Sequence, residues 1–230
     1  MSKLYLLLNI GSILFPIVAS FHPKSGLARH WKAYWGGIAI SAVVFLVWDA
    51  VFTQHGVWGF NDQYLLGPRF WGMPLEEWLF FFCIPYASLF IHFLGIKYYG
   101  DRWQFPKKIT QMIYLLMILW AVVQIIAFAP RWYTTVNAAF FLVILFLGYI
   151  FHPKALFQFL PSFLIIMIPF IAINGILTGS GLEQPVVWYN NAQNMSLRLG
   201  TIPLEDFMYA FSMLFLSWMG YERISAGKPI

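Results

Sequence analysis

Long apolar segments constrain this chain more than any other feature of its sequence. Charged residues make up 10% of its 230 residues and the mean hydropathy is +0.70, whereas a soluble domain carries roughly 25% charged residues. A helix that crosses the hydrocarbon layer needs about 20 mainly apolar residues. The apolar segments also lack the strict alternation that a transmembrane β-barrel requires. The sequence therefore predicts an all-α, multi-pass membrane protein with no separate soluble domain.

Seven segments have the length and composition of membrane-spanning helices. The predicted spans are Leu4–Ser20, Tyr34–Phe52, Pro74–Ile96, Ile109–Phe128, Asn137–Phe151, Leu156–Thr178 and Ile202–Ile224. No small-residue cleavage site follows the first segment, so we expect it to be a retained span rather than a signal peptide.

The Lys and Arg residues are divided unevenly between the two sides of such a bundle, with four on one side and ten on the other. The four are Lys3, Arg69, Arg131 and Arg198; the ten are Lys24, Arg29, Lys32, Lys97, Arg102, Lys107, Lys108, Lys154, Arg223 and Lys228. Because cytoplasmic loops are enriched in Lys and Arg, we predict an N-terminus outside and a C-terminus in the cytoplasm, in the cell membrane. This distribution also explains the net charge of +5 without a nucleic-acid partner.

The second half of the chain repeats the first. Residues Arg69–Glu77 read RFWGMPLEE and residues Arg198–Asp206 read RLGTIPLED, at an offset of 129 residues. The same offset relates Asn61 to Asn190. This similarity indicates an internal duplication.

The duplication predicts how the spans are arranged. Spans one to three correspond to spans five to seven, and span four is a connector that restores the orientation. We therefore predict a 3+1+3 parallel tandem repeat within one transmembrane domain, with half one at 1–99, the connector at 100–130 and half two at 131–230. Trp58 and Trp188 also match, at an offset of 130.

Acidic residues concentrate at one end of the predicted bundle. Five of the nine lie inside or at the mouth of a span, namely Asp49, Glu76, Glu77, Glu205 and Asp206. A proline followed by an acid is also common at ordinary helix N-termini. Here, however, the motif occurs twice, and ionisable groups in a membrane segment are costly enough to indicate a function. We predict that the acids of both halves converge on one site at the outer face.

Adjacent acids on a helix point about 100° apart. One acid of each pair can therefore face the bundle interior while the other meets the loop arginine, Arg69 or Arg198. The sequence leaves open which acid faces inward. Because burial disfavours the charged form of a carboxyl group, we expect at least one acid in each site to hold a proton near neutral pH. The candidate supporting polar residues are Asp49, Asn61, Asn174, Asn190, Arg69 and Arg198, with Asn174 as the approximate counterpart of Asp49.

Aromatic residues make up 20% of the chain, and many of them surround these acids. A single ring of this kind is typical of an interfacial belt. Together they can line an apolar cavity whose rings each stabilise a cation by about 2 kcal/mol or more when dry. The candidate pocket residues are Trp48, Trp58, Phe80, Trp188 and Tyr209. A proton donor in such a pocket suits protonation of an alkene.

Motifs for nucleotide binding, zinc binding and a serine nucleophile are missing from the sequence. We therefore expect neither a cofactor nor a metal.

Four segments together resemble the integral-membrane lycopene cyclases of carotenoid biosynthesis. They are VWGFN at 57–61, PLEEWLFFF at 74–82, VVWYNN at 186–191 and PLEDFMYAF at 203–211. The resemblance covers the whole chain and implies the single-polypeptide form that holds both halves. It implies a flavin-independent isomerase that takes lycopene from the bilayer and converts its linear ends to β-ionone rings, through γ-carotene to β-carotene.

The reaction that this resemblance implies needs an acid and a base. The acid protonates the terminal alkene, the next alkene attacks the resulting cation, and loss of a proton closes the ring. The candidate catalytic residues are Glu76, Glu77, Glu205 and Asp206, with the polar residues orienting them and the aromatic residues shielding the cation. Because Asp206 replaces the glutamate found at position 77, the two halves are expected to be inequivalent.

Two other functions are compatible with the sequence. One is a small-solute transporter, since parallel repeats also occur in transporters, although the acids here cluster at the outer end rather than at the midplane. The other is a non-catalytic carotenoid-binding membrane protein. The sequence leaves open whether the substrate has a C40 or a C50 chain, whether the ring is β or ε, whether one or both ends react, and the oligomeric state.

Overall fold

The computed structural model describes residues 3–225, and its main elements are seven long helices. They are α1 (Leu4–Ser20), α2 (Trp31–Gln54), α3 (Leu75–Tyr99), α4 (Lys107–Phe128), α5 (Trp132–Phe151), α6 (Pro153–Leu177) and α7 (Glu205–Ser225). Each helix overlaps one predicted span. Lys228, one of the ten basic residues assigned to the cytoplasmic side, lies outside the described residues.

Five helices in the described part of the chain, α2 to α6, are long and apolar enough to cross a membrane. Helix α1 is apolar but has only 17 residues. Helix α7 carries acids in its first turn and Arg223 in its last turn, and these charged residues reduce its hydropathy. The prediction of a helical membrane protein is therefore confirmed at the level of five candidate spans.

Several helix boundaries differ from the predicted ones. Helix α2 begins at Trp31 rather than Tyr34, and α5 begins at Trp132 rather than Asn137, because a helix continues beyond its apolar core wherever nothing breaks it. Helix α7 begins later than predicted, at Glu205, because the preceding residues form a hairpin.

Six short strands lie in two loops at the end of the bundle where α3 and α7 begin, which we call the loop end. They are β1 (Trp58–Phe60), β2 (Arg69–Phe70), β3 (Met73–Pro74), β4 (Val187–Tyr189), β5 (Arg198–Leu199) and β6 (Ile202–Pro203). Strands β2 and β3 form an antiparallel hairpin, and β5 and β6 form the equivalent hairpin in the second loop. The two loops are joined by the antiparallel pairing of β1 with β4.

The β1–β4 pairing shows how the two loops are related. Gly59 pairs with Trp188, and these residues are 129 positions apart, so equivalent residues meet at the centre of the sheet. The flanking hydrogen bonds are also equivalent: Asn61 N–H donates to the Val186 carbonyl and Asn190 N–H donates to the Val57 carbonyl, each at 2.9 Å. The two loops therefore pack around a local pseudo-two-fold axis.

This register corrects the match of Trp58 with Trp188. At the offset of 129, Trp188 is equivalent to Gly59, and Trp58 is equivalent to Val187. A Cβ at Gly59 would lie 2.3 Å from the Trp188 ring, so the first half carries a glycine because the indole of the second half lies across it.

The helices of the two halves pack through equivalent and inequivalent contacts. Helix α1 packs on α3, and its counterpart α5 packs on α7. Helices α2 and α7 approach closely because glycines face each other: a Cβ at Gly220 would lie 2.9 Å from the Cα of Gly37. Helices α3 and α6 contact each other where the Nδ1 of His92 lies 2.6 Å from the hydroxyl of Ser162.

Candidate active site

A cavity of about 480 Å³ extends from the loop end into the bundle. Its walls come from helices of both halves and from strands β1 and β4, and they are mainly apolar. Three carboxyl groups, those of Asp49, Glu77 and Asp206, line its loop end, and all three are buried. Both halves therefore contribute acids to one cavity, although Glu76 and Glu205 are not among its lining residues.

Two of these acids come from the first half and lie side by side. The Tyr5 hydroxyl donates a hydrogen bond to the Oε2 of Glu77. The Trp58 indole donates to the Oδ1 of Asp49, and Thr53, one turn further along α2, lies 3.4 Å from the same oxygen. The carboxyl groups of Asp49 and Glu77 are neighbours in the cavity wall. Two ionised carboxylates side by side in a buried site would repel each other, which favours a proton on one of the two.

Asp206, the acid from the second half, has a different environment. The Tyr133 hydroxyl donates to its Oδ1, while the Asn174 amide and the Tyr189 hydroxyl donate to its Oδ2 at 2.8 and 3.0 Å. Burial and the neighbouring Asp206 carboxyl raise the pKa of Tyr189 well above its usual value, so this hydroxyl stays a donor. Three donors aimed at two oxygens suit an ionised carboxylate.

The two environments are related by the internal repeat. Tyr5 and Tyr133 are 128 residues apart, and each donates to the inward-facing acid of its own half. Asn174 lies next to Asp206 as Asp49 lies next to Glu77, so the second half has an amide where the first half has an acid.

The other acid of each pair, Glu76 or Glu205, is fully buried and does not line the cavity. The Oε1 of Glu76 accepts a hydrogen bond from the Leu66 backbone N–H at 2.5 Å. The Oε1 of Glu205 accepts from the Met195 backbone N–H and from the Thr134 hydroxyl, both at 2.6 Å. The structure therefore places these two predicted catalytic acids where they fasten the loops to α3 and α7.

The loop arginines do not meet the second acid of each pair, and that expectation was wrong. Arg69 forms an ion pair with Asp62 at 2.6 Å and donates to the Gly72 carbonyl at 3.0 Å. Arg198 makes the equivalent contacts, to the Asn191 side chain and the Thr201 carbonyl. The hairpin turns each arginine back onto its own loop, away from the helix N-terminus.

The two loop asparagines have a similar structural role. The Oδ1 of Asn61 accepts from the Gln63 backbone N–H, and the Oδ1 of Asn190 accepts from the Ala192 backbone N–H, each at 3.0 Å. Neither side chain lines the cavity, whereas Asn174 does.

Three of the five predicted pocket aromatics, Trp58, Phe80 and Tyr209, line the cavity. Phe80 and Tyr209 are equivalent residues at the offset of 129. Trp48 packs behind the wall, with its ring 5.3 Å from that of Tyr209. Trp188 lies outside the cavity lining, across Gly59, and is 43% exposed.

Tyr5, Tyr133 and Tyr189 donate to the inward-facing acids and were not among the predicted site residues. A signal for the first two exists in the sequence. Tyr5 and Tyr133 are each followed by an asparagine four residues later, at the same offset of 128. In the structure, Asn9 and Asn137 donate to the backbone carbonyls of Glu76 and Glu205 at 2.8 and 2.6 Å.

Comparisons with known proteins agree with the internal repeat. A family model described as lycopene cyclase matches residues 2–95 and 130–224, as two repeats. No solved structure matches the chain.

The curated relatives are fungal proteins named bifunctional lycopene cyclase/phytoene synthase. The protein from Neurospora crassa is 32% identical over 60 residues, and the one from Podospora anserina is 30% identical over 60 residues. Each of these matches covers 26% of this chain and 10% of the fungal protein. The protein from Phaeosphaeria nodorum is 21% identical over 110 residues, which are 42% of this chain and 19% of that protein.

Proposed function

Since the chain belongs to the lycopene cyclase family, we propose that it is a lycopene β-cyclase, an intramolecular lyase or isomerase of carotenoid biosynthesis. It converts the linear ends of lycopene to β-ionone rings, through γ-carotene to β-carotene. The observation that carries this proposal is the placement of three buried carboxyl groups from two repeated halves around one apolar cavity. The reaction changes neither the oxidation state nor the atom count of the substrate, so acid and base groups suffice.

The proposal includes the arrangement of the chain in the membrane. Seven helices cross the cell membrane as a 3+1+3 parallel repeat, with half one at 1–99, the connector at 100–130 and half two at 131–230. The N-terminus is outside and the C-terminus is in the cytoplasm. Support comes from the five candidate spans, from the paired loops at one end and from the four-to-ten division of basic residues.

The pair formed by Asp49 and Glu77 is the proton donor. Both groups are buried in a mainly apolar cavity, and the contact between them favours one shared proton, because two ionised carboxylates would repel each other. The proton is delivered to C2 of the terminal C1=C2 alkene of lycopene, which leaves a cation at C1.

Ring closure follows without another chemical group. The electrons of the C5=C6 alkene form the C1–C6 bond, and the positive charge moves to C5. The rings of Trp58, Phe80 and Tyr209 face the cavity and stabilise this cation through their π electrons. The apolar walls also exclude water, which would otherwise add to the cation and form an alcohol.

Asp206 is the base that removes the C6 proton. Its three hydrogen-bond donors hold it as a carboxylate in a fixed position. Loss of this proton forms the C5=C6 double bond of the β-ring. One proton enters and one leaves for each ring, so the site is reset when Asp206 releases its proton to solvent and the pair formed by Asp49 and Glu77 takes one up.

The remaining predicted residues position the site. Glu76 and Glu205 fasten the loops to the helices, while Arg69 and Arg198 close the two hairpins. Asn61 and Asn190 fix the turns next to the β1–β4 sheet. We propose that these groups act through Glu77 and Asp206 and do not touch the substrate.

The test is expression in lycopene-accumulating cells, followed by chromatography of the pigments. Cells with the wild-type chain are expected to produce β-carotene. Cells with an equal amount of the Asp206→Asn variant are expected to keep their lycopene unconverted. A wild-type chain that leaves lycopene unchanged would contradict the proposal. If liposomes containing that chain then passed a small solute, a transporter would explain the fold, whereas retention of unreacted pigment would indicate a carotenoid-binding protein.

A further inference from the structure

The repeated fold offers two equivalent places for a cavity beside the acids, and only one of them is open in residues 3–225. At the closed place, the rings of Phe45, Trp48 and Phe140 pack together with centroid distances of 5.4–5.5 Å. The ring of Tyr209 covers them at 4.8 Å from Phe45. This aromatic plug occupies the space between α5 and α2.

The open place lies between α1 and α6, where smaller residues occupy the equivalent positions. Helices α1 and α5 are related by the offset of 128 that links Tyr5 to Tyr133, and this offset places Ser12 at the position of Phe140. Helices α2 and α6 are related by the offset of 125 that links Asp49 to Asn174.

At that offset, Ile173 replaces Trp48, and Phe170 is equivalent to Phe45. Ser12, Phe170 and Ile173 all line the cavity. The plug is therefore absent where a serine replaces a phenylalanine and an isoleucine replaces a tryptophan.

The packing of the other helices keeps this side open. On the closed side, Gly37 and Gly220 let α2 and α7 approach until their backbones touch. The equivalent residues on the open side are Ser162 and Ile91, at the offsets of 125 and 129. These side chains are larger than glycine, and α3 and α6 pack less extensively than α2 and α7.

The open cavity reaches the surface of the bundle that faces lipid. Gly11 lines it, and a Cβ at that position would meet nothing within 4 Å. Phe15 on α1 also lines it and is 72% exposed, and Pro169 on α6 is an exposed lining residue. The edges of the opening are thus exposed apolar residues of α1 and α6.

The dimensions of the cavity fit one end of a long hydrocarbon. Glu77 and Ile91 line the cavity 14 residues apart, which is roughly 21 Å along α3. Its volume of about 480 Å³ is in the range of sites for drug-sized ligands, roughly 300–1,000 Å³. The end of a C40 chain therefore fills it, and the rest of the chain must leave through the opening.

We propose that the opening between α1 and α6 is the passage by which the linear carotenoid enters from the bilayer, and that Ser12 is the residue that keeps it open. This inference rests on the proposed function. A substrate held in this way presents one end to the acids while its other end stays in lipid. The two ends of lycopene are therefore cyclised in separate visits, with the monocyclic product leaving between them.

The test is a size series at position 12: Ser12→Ala, Ser12→Leu and Ser12→Phe, measured with purified protein and lycopene in micelles. The matched control is Leu14→Phe on the same helix, since Leu14 is 58% exposed and does not line the cavity. We expect the Leu14→Phe variant to keep wild-type turnover, and the Ser12 variants to lose turnover in the order of side-chain size, with a loss of about tenfold or more for Ser12→Phe. Thermal unfolding in detergent is measured for each variant, so that the comparison is made between folded proteins.

Two outcomes would contradict this inference and leave the proposed function intact, the first for the passage at Ser12 and the second for the separate visits of the two ends. The first is a folded Ser12→Phe variant that cyclises lycopene at the wild-type rate. The second comes from an experiment in which labelled lycopene is the substrate and unlabelled γ-carotene is added during the reaction. The contradicting result is β-carotene whose label is not diluted by the added γ-carotene. A wild-type protein without any cyclic product would instead contradict the proposed function itself.

Discussion

Asp49 and Asn174 occupy equivalent positions in the two halves of the chain, and each contacts the inward-facing acid of its own half. Asp49 lies beside Glu77 and brings a second carboxyl group, whereas Asn174 donates a hydrogen bond to Asp206 at 2.8 Å. The duplicated fold thus holds one site with two acids and one site with an acid and an amide. This difference is the reason that the proposed mechanism assigns proton donation to the first half and proton removal to the second half.

Replacing Glu77 by Gln tests the donor. The amide keeps the size of the side chain but has no acidic proton to deliver, so we expect cyclisation to fall by about 100-fold or more. The matched control is Glu76→Gln, which keeps the oxygen that accepts from the Leu66 N–H outside the cavity. We expect this control to retain most activity when folded. Pigment analysis at equal protein levels measures both variants, and equal losses would remove the distinction between the two acids.

Replacing Tyr5 or Tyr133 by Phe tests the hydroxyls that hold the inward-facing acids. Each change removes one donor from a buried carboxyl group, which is expected to cost about 1–3 kcal/mol of folding free energy. We also expect kcat to fall by roughly tenfold while KM changes little, because the hydroxyls position the acids and do not bind the hydrocarbon. A rise in KM with unchanged kcat would place these hydroxyls in substrate binding instead.

Replacing Gly59 by Ala tests the contact at the centre of the β1–β4 sheet. The new Cβ would lie 2.3 Å from the Trp188 ring, so the loops must separate, and we expect a loss of stability of about 1–3 kcal/mol. Trp188→Ala removes the obstructing ring, so the double variant should regain much of the lost stability. Thermal unfolding of the two single variants and the double variant measures the coupling. Additive effects would show that Trp188 does not cause the constraint.

Much of this fold follows from patterns that the sequence displays. Apolar length predicts the helices, because the hydrocarbon thickness sets a minimum span. The repeated Arg69–Glu77 motif predicts the paired loops, because a duplicated segment folds in the same way twice. The helix starts were less predictable, since Ile202 and Pro203 pair with β5 through hydrogen bonds that no periodicity reveals.

The site was predicted only in part, for physical reasons. Adjacent acids have no intrinsic preference for the interior, and contacts with backbone N–H groups of distant loop residues turn Glu76 and Glu205 away from the cavity. Trp188 was expected in the pocket because its neighbourhood resembles that of Trp58. The strand register shifts it by one residue, and in a strand such a shift moves the side chain to the opposite face.

Cyclisation in deuterated water tests the central claim most directly. If the buried acids deliver the proton, each ring formed carries one deuterium at the carbon that was C2 of the linear end, since the acids exchange with solvent between turnovers. Mass spectrometry of the β-carotene should therefore show one added mass unit for every ring. A Glu77→Gln variant should form very little cyclic product, in line with the loss expected above. Cyclic product that carries no deuterium, formed by the wild-type protein after full exchange in deuterated water, would contradict the account.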